Sequence, residues 1–319
     1  MTSRRLHTAS LLVAALALSI VAAPGLRPAF AVDAPANAAT NAAPARIVSV
    51  GGAVTEILYA LGLENKIVGV DVTSLYPPEA LKQKPNVGYM RQLSPEGILG
   101  LNPQLILAIE GSGPNETLAV LKDAKVPLMT VPEVYSDQGI LDKIKLISEE
   151  MGVKDRGACL ATAVSTDLTS VHALRERVTN KLRVMFVMSL VNGRAMVAGQ
   201  KTAANAIIDL SGGINAIGDY DGYKPISEEA IVAAKPDVIL TMQRGADAVT
   251  PDMVFASPAF AMTPAAKTKA FVAMDGLYLL GFGPRTAAAA HDLAGRLYPE
   301  LSSDKDHWTS HVLTADCRH

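Results

Sequence analysis

The sequence predicts an α/β protein of two similar lobes with mainly parallel sheets, joined by one long helix, with a ligand cleft between the lobes. Three observations predict it. Short apolar runs alternate with helical stretches along the chain, a helix-strand unit occurs twice, and a long amphipathic segment separates the two copies. Alternation of this kind builds parallel sheets covered by helices.

The elements follow in chain order. Arg4 and Arg5 precede an apolar run at 11–23 and then Ala29-Phe30-Ala31, so residues 1–31 read as a secretory signal peptide cleaved after Ala31. That run is shorter than the roughly 20 residues a membrane helix needs. The paired arginines leave twin-arginine export open beside the general secretory route. With no cysteine near the cleavage point, the expected product is soluble and periplasmic. Residues 32–45, VDAPANAATNAAPA, lack a periodic apolar face and read as a flexible lead-in.

The N-terminal α/β lobe is assigned to 46–153 and the C-terminal lobe to 181–300. Each opens on a strand, RIVSV at 46–50 and RVMFVM at 183–188, and goes on through runs such as IVGV, QLILA, LMTV, DVIL and AFVAM. The repeat is clearest between LSPEGILGLNPQLILA at 93–108 and ISEEAIVAAKPDVILT at 226–241. In both, a serine can cap a short helix and a glutamate, Glu96 or Glu229, stands in its first turn, where a carboxylate suits the positive end of the helix dipole. Each copy then enters a continuous apolar strand of the buried parallel type. A looser pair is TEILYALGLENKIVGVD at 55–71 and AANAIIDLSGGINAIGD at 203–219.

Between the lobes, residues 154–180 carry Leu160, Val164, Leu168, Val171, Leu174 and Val178 at three- and four-residue steps, which predicts one linking helix. At ~1.5 Å per residue it would extend roughly 40 Å, and a rigid link of this kind restricts closing motions. A last helix is expected over 285–297. The polar tail 301–319, with His307, Trp308 and His311, has no place assigned by the pattern.

Ligands of open parallel sheets bind beyond the carboxyl ends of the strands. The loops that would line a cleft are 49–53, 71–76, 87–91 and 110–114 from the first lobe, and 191–200, 219–224 and 242–247 from the second. A net charge of −2, from 29 basic and 31 acidic residues, provides no basic field for nucleic acid. Cys159 and Cys317 are compatible with one bridge or with two free thiols. No histidine falls in a cleft loop, which argues against a zinc or manganese carrier. A secreted hydrolase finds little support, because G-x-S-x-G and H-E-x-x-H are absent and GGAVTE lacks the lysine and spacing of a phosphate loop.

RIVSVGGAVTEILYALG, VGYMRQLSPEGILGLNP, GYKPISEEAIVAAKPDVIL and LGFGPRTA together carry a family likeness. Over roughly residues 45–300 the chain resembles the periplasmic substrate-binding proteins of ABC-type haem importers, within the rigid-helix group that also carries siderophores and cobalamin. The resemblance implies no enzyme but a monomeric carrier of ferric haem b that delivers to an inner-membrane permease with its cytoplasmic ATPase. A carrier of ferric siderophore or cobalamin is the alternative.

The resemblance further implies Tyr89 as axial iron ligand. Ferric iron is a hard cation and a phenolate a hard ligand. A free phenol ionises at about pH 10, so such ligation at neutral pH calls for a nearby cation. Arg244 is the first candidate to hydrogen-bond the ligand oxygen; Arg91 is another, for that oxygen or for a propionate. Tyr223, Met90 and Met242 are candidates for secondary haem contact, with packing in the lobes as the alternative for each, and Lys201 and Arg194 are either partners for propionates or solvated loop charges. Glu96 and Glu229 are expected to meet arginines of the permease.

Overall fold

The computed structural model describes residues 43–191, 193–243, 245, 248–302 and 308–319. The expected signal peptide, most of the lead-in, Arg244 and His307 lie outside the described residues. No helix among the described residues is long and apolar enough to cross a membrane.

The first lobe is built on a four-stranded sheet of β1 (Ile47–Val50), β2 (Ile67–Val70), β5 (Leu105–Ile109) and β6 (Leu128–Val131), in the order β2-β1-β5-β6 and parallel throughout. Every residue of LILAI in β5 is buried, as a strand covered on both faces requires. Between β2 and β5, β3 (Gly88–Tyr89) and β4 (Gln92–Leu93) form a small antiparallel hairpin of their own.

The second lobe holds β7 (Arg183–Val191), β8 (Arg194–Ala198), β9 (Ile214–Asn215), β10 (Tyr223–Ile226), β11 (Val238–Gln243) and β12 (Phe271–Asp275). Their order is β10-β8-β7-β11-β12, with β9 beside β7. The strands β9, β7, β11 and β12 run parallel, while β8 is antiparallel to both of its neighbours, β7 and β10. The stretch 191–200, expected as a cleft loop, is therefore mostly strand. Its alternation is too short to stand out: Ala195 and Val197 turn to the core, while Arg194 and Met196 do not.

The linking helix spans Lys154–Glu176, about 35 Å at 1.5 Å per residue. It buries Leu160, Val164, Leu168 and Val171, and the helix Asp137–Glu150 packs along it. It ends before residue 180. Val178, which fits the helical spacing, lies past the end and packs against Gly212, where a Cβ would stand 2.8 Å from its methyl. A single apolar cluster runs from Ile47 and Leu107 through Leu160 and Leu168 to Phe186, Leu240 and Leu293, so both lobes and the link share one core.

The tail is docked. Trp308 stacks on His291 of the helix Thr286–Leu297 with ring centroids 4.3 Å apart. Asp167, wholly buried on the linking helix, accepts from Ser310 Oγ (2.6 Å), the His311 amide (2.8 Å), His311 Nδ1 (2.8 Å) and the Val312 amide (3.2 Å). Cys317 is bonded to Cys159 with Cα atoms 5.6 Å apart, and Arg318 pairs with Glu64 of the first lobe. The cysteine question left open by the sequence is thereby decided in favour of one bridge.

Candidate functional site

The loops that follow the first-lobe strands are fastened to one another before any ligand is considered. Asp71, wholly buried just after β2, accepts from the amides of Gly51 (2.8 Å) and Thr73 (3.1 Å) and from the hydroxyls of Thr73 (2.8 Å) and Ser74 (3.1 Å). A buried carboxylate with several donors holds a loop in one shape. It ties the turn after β1 to the turn after β2.

The β3-β4 hairpin stands on this frame. Gly88 has φ +101°, and a Cβ there would lie 2.8 Å from the Gln92 carbonyl, so the hairpin needs glycine at this point. The Gly88 carbonyl accepts from the Val72 amide (2.9 Å), the Met90 carbonyl from the Gly113 amide (2.8 Å), and the Gly113 carbonyl from the Leu93 amide (3.0 Å). The Tyr89-Met90-Arg91-Gln92 turn is thus held from both sides, at the carboxyl end of the sheet. Tyr89 is 37% exposed and Arg91 is exposed, whereas Met90 is half-buried against the core.

Tyr223 comes from the second lobe. It begins β10 and packs edge-on against Phe186 with centroids 6.2 Å apart. Burial pushes its phenol up in pKa, with Ala204, Thr202 and the Arg91 guanidinium pulling the other way.

A further phenol, Tyr135, belongs to this neighbourhood and has no counterpart among the residues singled out from the sequence. It follows β6, packs edge-on against Phe282 at 5.2 Å, and remains 36% exposed. Burial pushes it up to about 12, Glu133 and Tyr223 add to the shift, and Arg91 opposes it. Its signal in the sequence was positional: PEVYS follows the apolar LMTV, as the other cleft loops follow their strands.

The remaining expectations fall out differently. Met242 is only 8% exposed, because β11 runs parallel between β7 and β12 and is covered on both faces; its sulfur would lie 3.3 Å from a Cβ at Gly276. It packs in the core instead of offering a free surface. Lys201 pairs with Asp221 at 2.7 Å, and Arg194 is exposed on β8. His172 pairs with Asp137, His291 stacks on Trp308 and His311 binds Asp167. Among the described residues, no group of three or more His, Cys, Asp and Glu could hold a metal ion.

The GFGPR motif proves to be a lobe-to-lobe tie. Arg285 donates to Glu56 through its amide (3.1 Å), Nε (3.0 Å) and Nη2 (3.0 Å), and its guanidinium lies 3.5 Å from the ring centroid of Tyr76. Burial pushes the Glu56 carboxyl up, and Arg285 works against that shift. A second tie is Lys143, whose wholly buried ammonium reaches Glu133 (2.7 Å) and the Phe282 carbonyl (3.2 Å). Removing one member of such a pair leaves an uncompensated buried charge.

Glu96 and Glu229 are both exposed, one on each lobe, in the first turn of helices Pro95–Leu99 and Glu228–Ala234. Ser94 caps the first by accepting from the Gly97 amide (3.1 Å), and Ser227 the second from the Ala230 amide (3.2 Å). The Glu229 carboxyl is held low by its own backbone amide and by Ser227. The repeat read from the sequence is real in three dimensions.

Two solved structures share the fold closely. The periplasmic heme-binding protein RhuT from Roseiflexus sp. RS-1, in apo form, is 40% identical with a TM-score of 0.76, covering 80% of this chain and 98% of that one. The periplasmic heme-binding protein BhuT in complex with two hemes is 38% identical, also with a TM-score of 0.76 and the same two coverages. Among sequence relatives, an ABC transporter substrate-binding lipoprotein, YvrC of Bacillus subtilis (strain 168), is 28% identical over 81% of each chain. The family model described as "Periplasmic binding protein" matches residues 47–277. With its two α/β lobes, its linking helix and this match over most of its length, the chain belongs to the periplasmic binding protein family of the haem, siderophore and cobalamin importer group.

Proposed function

We propose that the protein is a periplasmic haem carrier: it captures haem between its lobes without catalysing a reaction and hands it to an ABC-type permease of the inner membrane. The observation that carries this reading is the exposed Tyr89 on a hairpin braced by two neighbouring loops, in a chain 38–40% identical to structures described as heme-binding. A phenol oxygen suits ferric iron.

In the full reading, the cargo is ferric haem b, Tyr89 is its axial ligand, and Arg91 or Arg244 supplies the positive charge that favours tyrosinate. Met90 and Tyr223 offer ring contacts. A cleavable signal peptide brings the protein to the periplasm, where it acts as a monomer. Glu96 and Glu229 dock it on a permease driven by a cytoplasmic ATPase. Exposed ion pairs add little affinity singly, but two at a fixed separation set orientation.

Titration of the purified protein with hemin, followed by absorbance, tests the reading. Wild type is expected to saturate with a strong Soret band and a tyrosinate charge-transfer band, and Tyr89→Phe to lose the latter with at least a tenfold loss of affinity. Unchanged spectra in Tyr89→Phe, or tighter uptake of cobalamin or a ferric siderophore than of hemin, would refute it.

A further inference from the structure

We propose that Tyr135 is a specificity-determining residue of the cargo site: its hydroxyl, together with the Arg91 guanidinium, receives the carboxylate groups of the cargo. The inference rests on the haem reading above, since haem presents two such groups on one edge.

Placement comes first. Tyr135 follows β6 at the same end of the sheet as the Asp71 and Gly88 loops, where open parallel sheets hold their ligands. Its ring is neither free nor buried. It lies edge-on against Phe282 of the second lobe at 5.2 Å while more than a third of the residue stays exposed.

One buried ammonium fixes both sides of that contact. Lys143 binds Glu133, two residues before Tyr135, and the carbonyl of Phe282, against which the tyrosine packs. Groups that bind a ligand well are held in place by partners behind them. The Lys143 side chain, 0% exposed, is such a partner, and it reaches both lobes.

The charges nearby decide what this tyrosine can receive. Arg91, Tyr223, Glu133 and Glu110 all act on its phenol. Glu133 is taken up by Lys143, and Glu110 accepts from the Glu133 amide at 3.0 Å. Tyr135 and Arg91 are both exposed, so the phenol hydroxyl and the guanidinium fork are donors open to a ligand. A neutral phenol donates one hydrogen bond and a guanidinium several, and a carboxylate accepts both kinds.

The test compares hemin with hemin dimethyl ester, whose two carboxylates are blocked, on wild type and Tyr135→Phe. Phenylalanine keeps the ring against Phe282 and removes only the hydroxyl. Absorbance titrations are expected to show hemin binding weakened about tenfold in Tyr135→Phe, the loss of one charge-assisted hydrogen bond, with the iron-ligation bands unchanged. The ester should bind wild type and variant equally. Arg91→Gln should likewise weaken hemin binding.

Equal affinity of wild type and Tyr135→Phe for hemin overturns the proposal, as does an equal loss for hemin and ester. If hemin binds with Tyr89-dependent bands while Tyr135→Phe changes nothing, the Tyr135 assignment alone falls. If wild type takes up no hemin, both readings fall together.

Discussion

Replacing Cys159 and Cys317 by serine removes a cross-link that joins points 158 residues apart. In the chain-entropy model, a loop of that length restrains the unfolded chain by roughly 5 kcal/mol, and native bridges typically deliver 2–4 kcal/mol of it. The folded tail retains its other anchors: the four donors on Asp167, the Trp308-His291 stack and the Arg318-Glu64 pair. The double variant should therefore still fold with the tail in place and unfold in urea with a stability lower by roughly 2–5 kcal/mol and a steeper dependence on denaturant, because an unlinked unfolded chain exposes more surface. Trp308 is the sole tryptophan and lies in the tail, so its fluorescence reports docking while far-UV circular dichroism reports the lobes. A stability change below about 1 kcal/mol with an unchanged slope would refute the reasoning. So would a tryptophan signal in the variant that already matches the unfolded chain in the absence of urea.

The remaining predictions concern docking and titration. Glu96→Lys or Glu229→Lys should leave hemin binding unchanged but lower permease-coupled ATPase stimulation in proteoliposomes several-fold, with the double variant abolishing it; full stimulation by the double variant would exclude the docking role. Tyr135, pushed up to about 12 from an ordinary value of about 10, is harder to ionise in the folded protein than in the unfolded chain. Its contribution to stability is thus complete below pH 10 and is lost as the pH rises through 12. An absorbance titration near 295 nm should show a late phenol step missing in Tyr135→Phe, whose stability should fall less steeply over that interval.

How much of this was legible in the sequence differs from element to element. The parallel strands were, because LILAI and the VIL that opens β11 are continuous apolar runs, as strands covered on both sides require. The capped helices carrying Glu96 and Glu229 were too, since a serine at the cap acts on amides three residues away. The antiparallel pair of β8 and β10 was not, because both strands are short and β10 carries a lysine and a proline. Arg285 could be seen as part of a motif, but its partner Glu56 lies 229 residues away, and no local pattern names it.

By itself, the sequence determined the class of the fold, its repeated helix-strand unit and its linking helix, and it singled out the tyrosine on which the proposed site is centred. These depend on periodicity and on the requirements of neighbouring residues, which are written in consecutive letters. Only the tertiary structure decided that the tail is strapped to the linking helix through Asp167 and Cys159, that Met242 belongs to the core, and that Tyr135 packs on Phe282 with Lys143 joining Glu133 to the Phe282 carbonyl. Each of those depends on groups far apart in the chain meeting at a distance of a few ångströms, and short-range forces act only after the chain has closed.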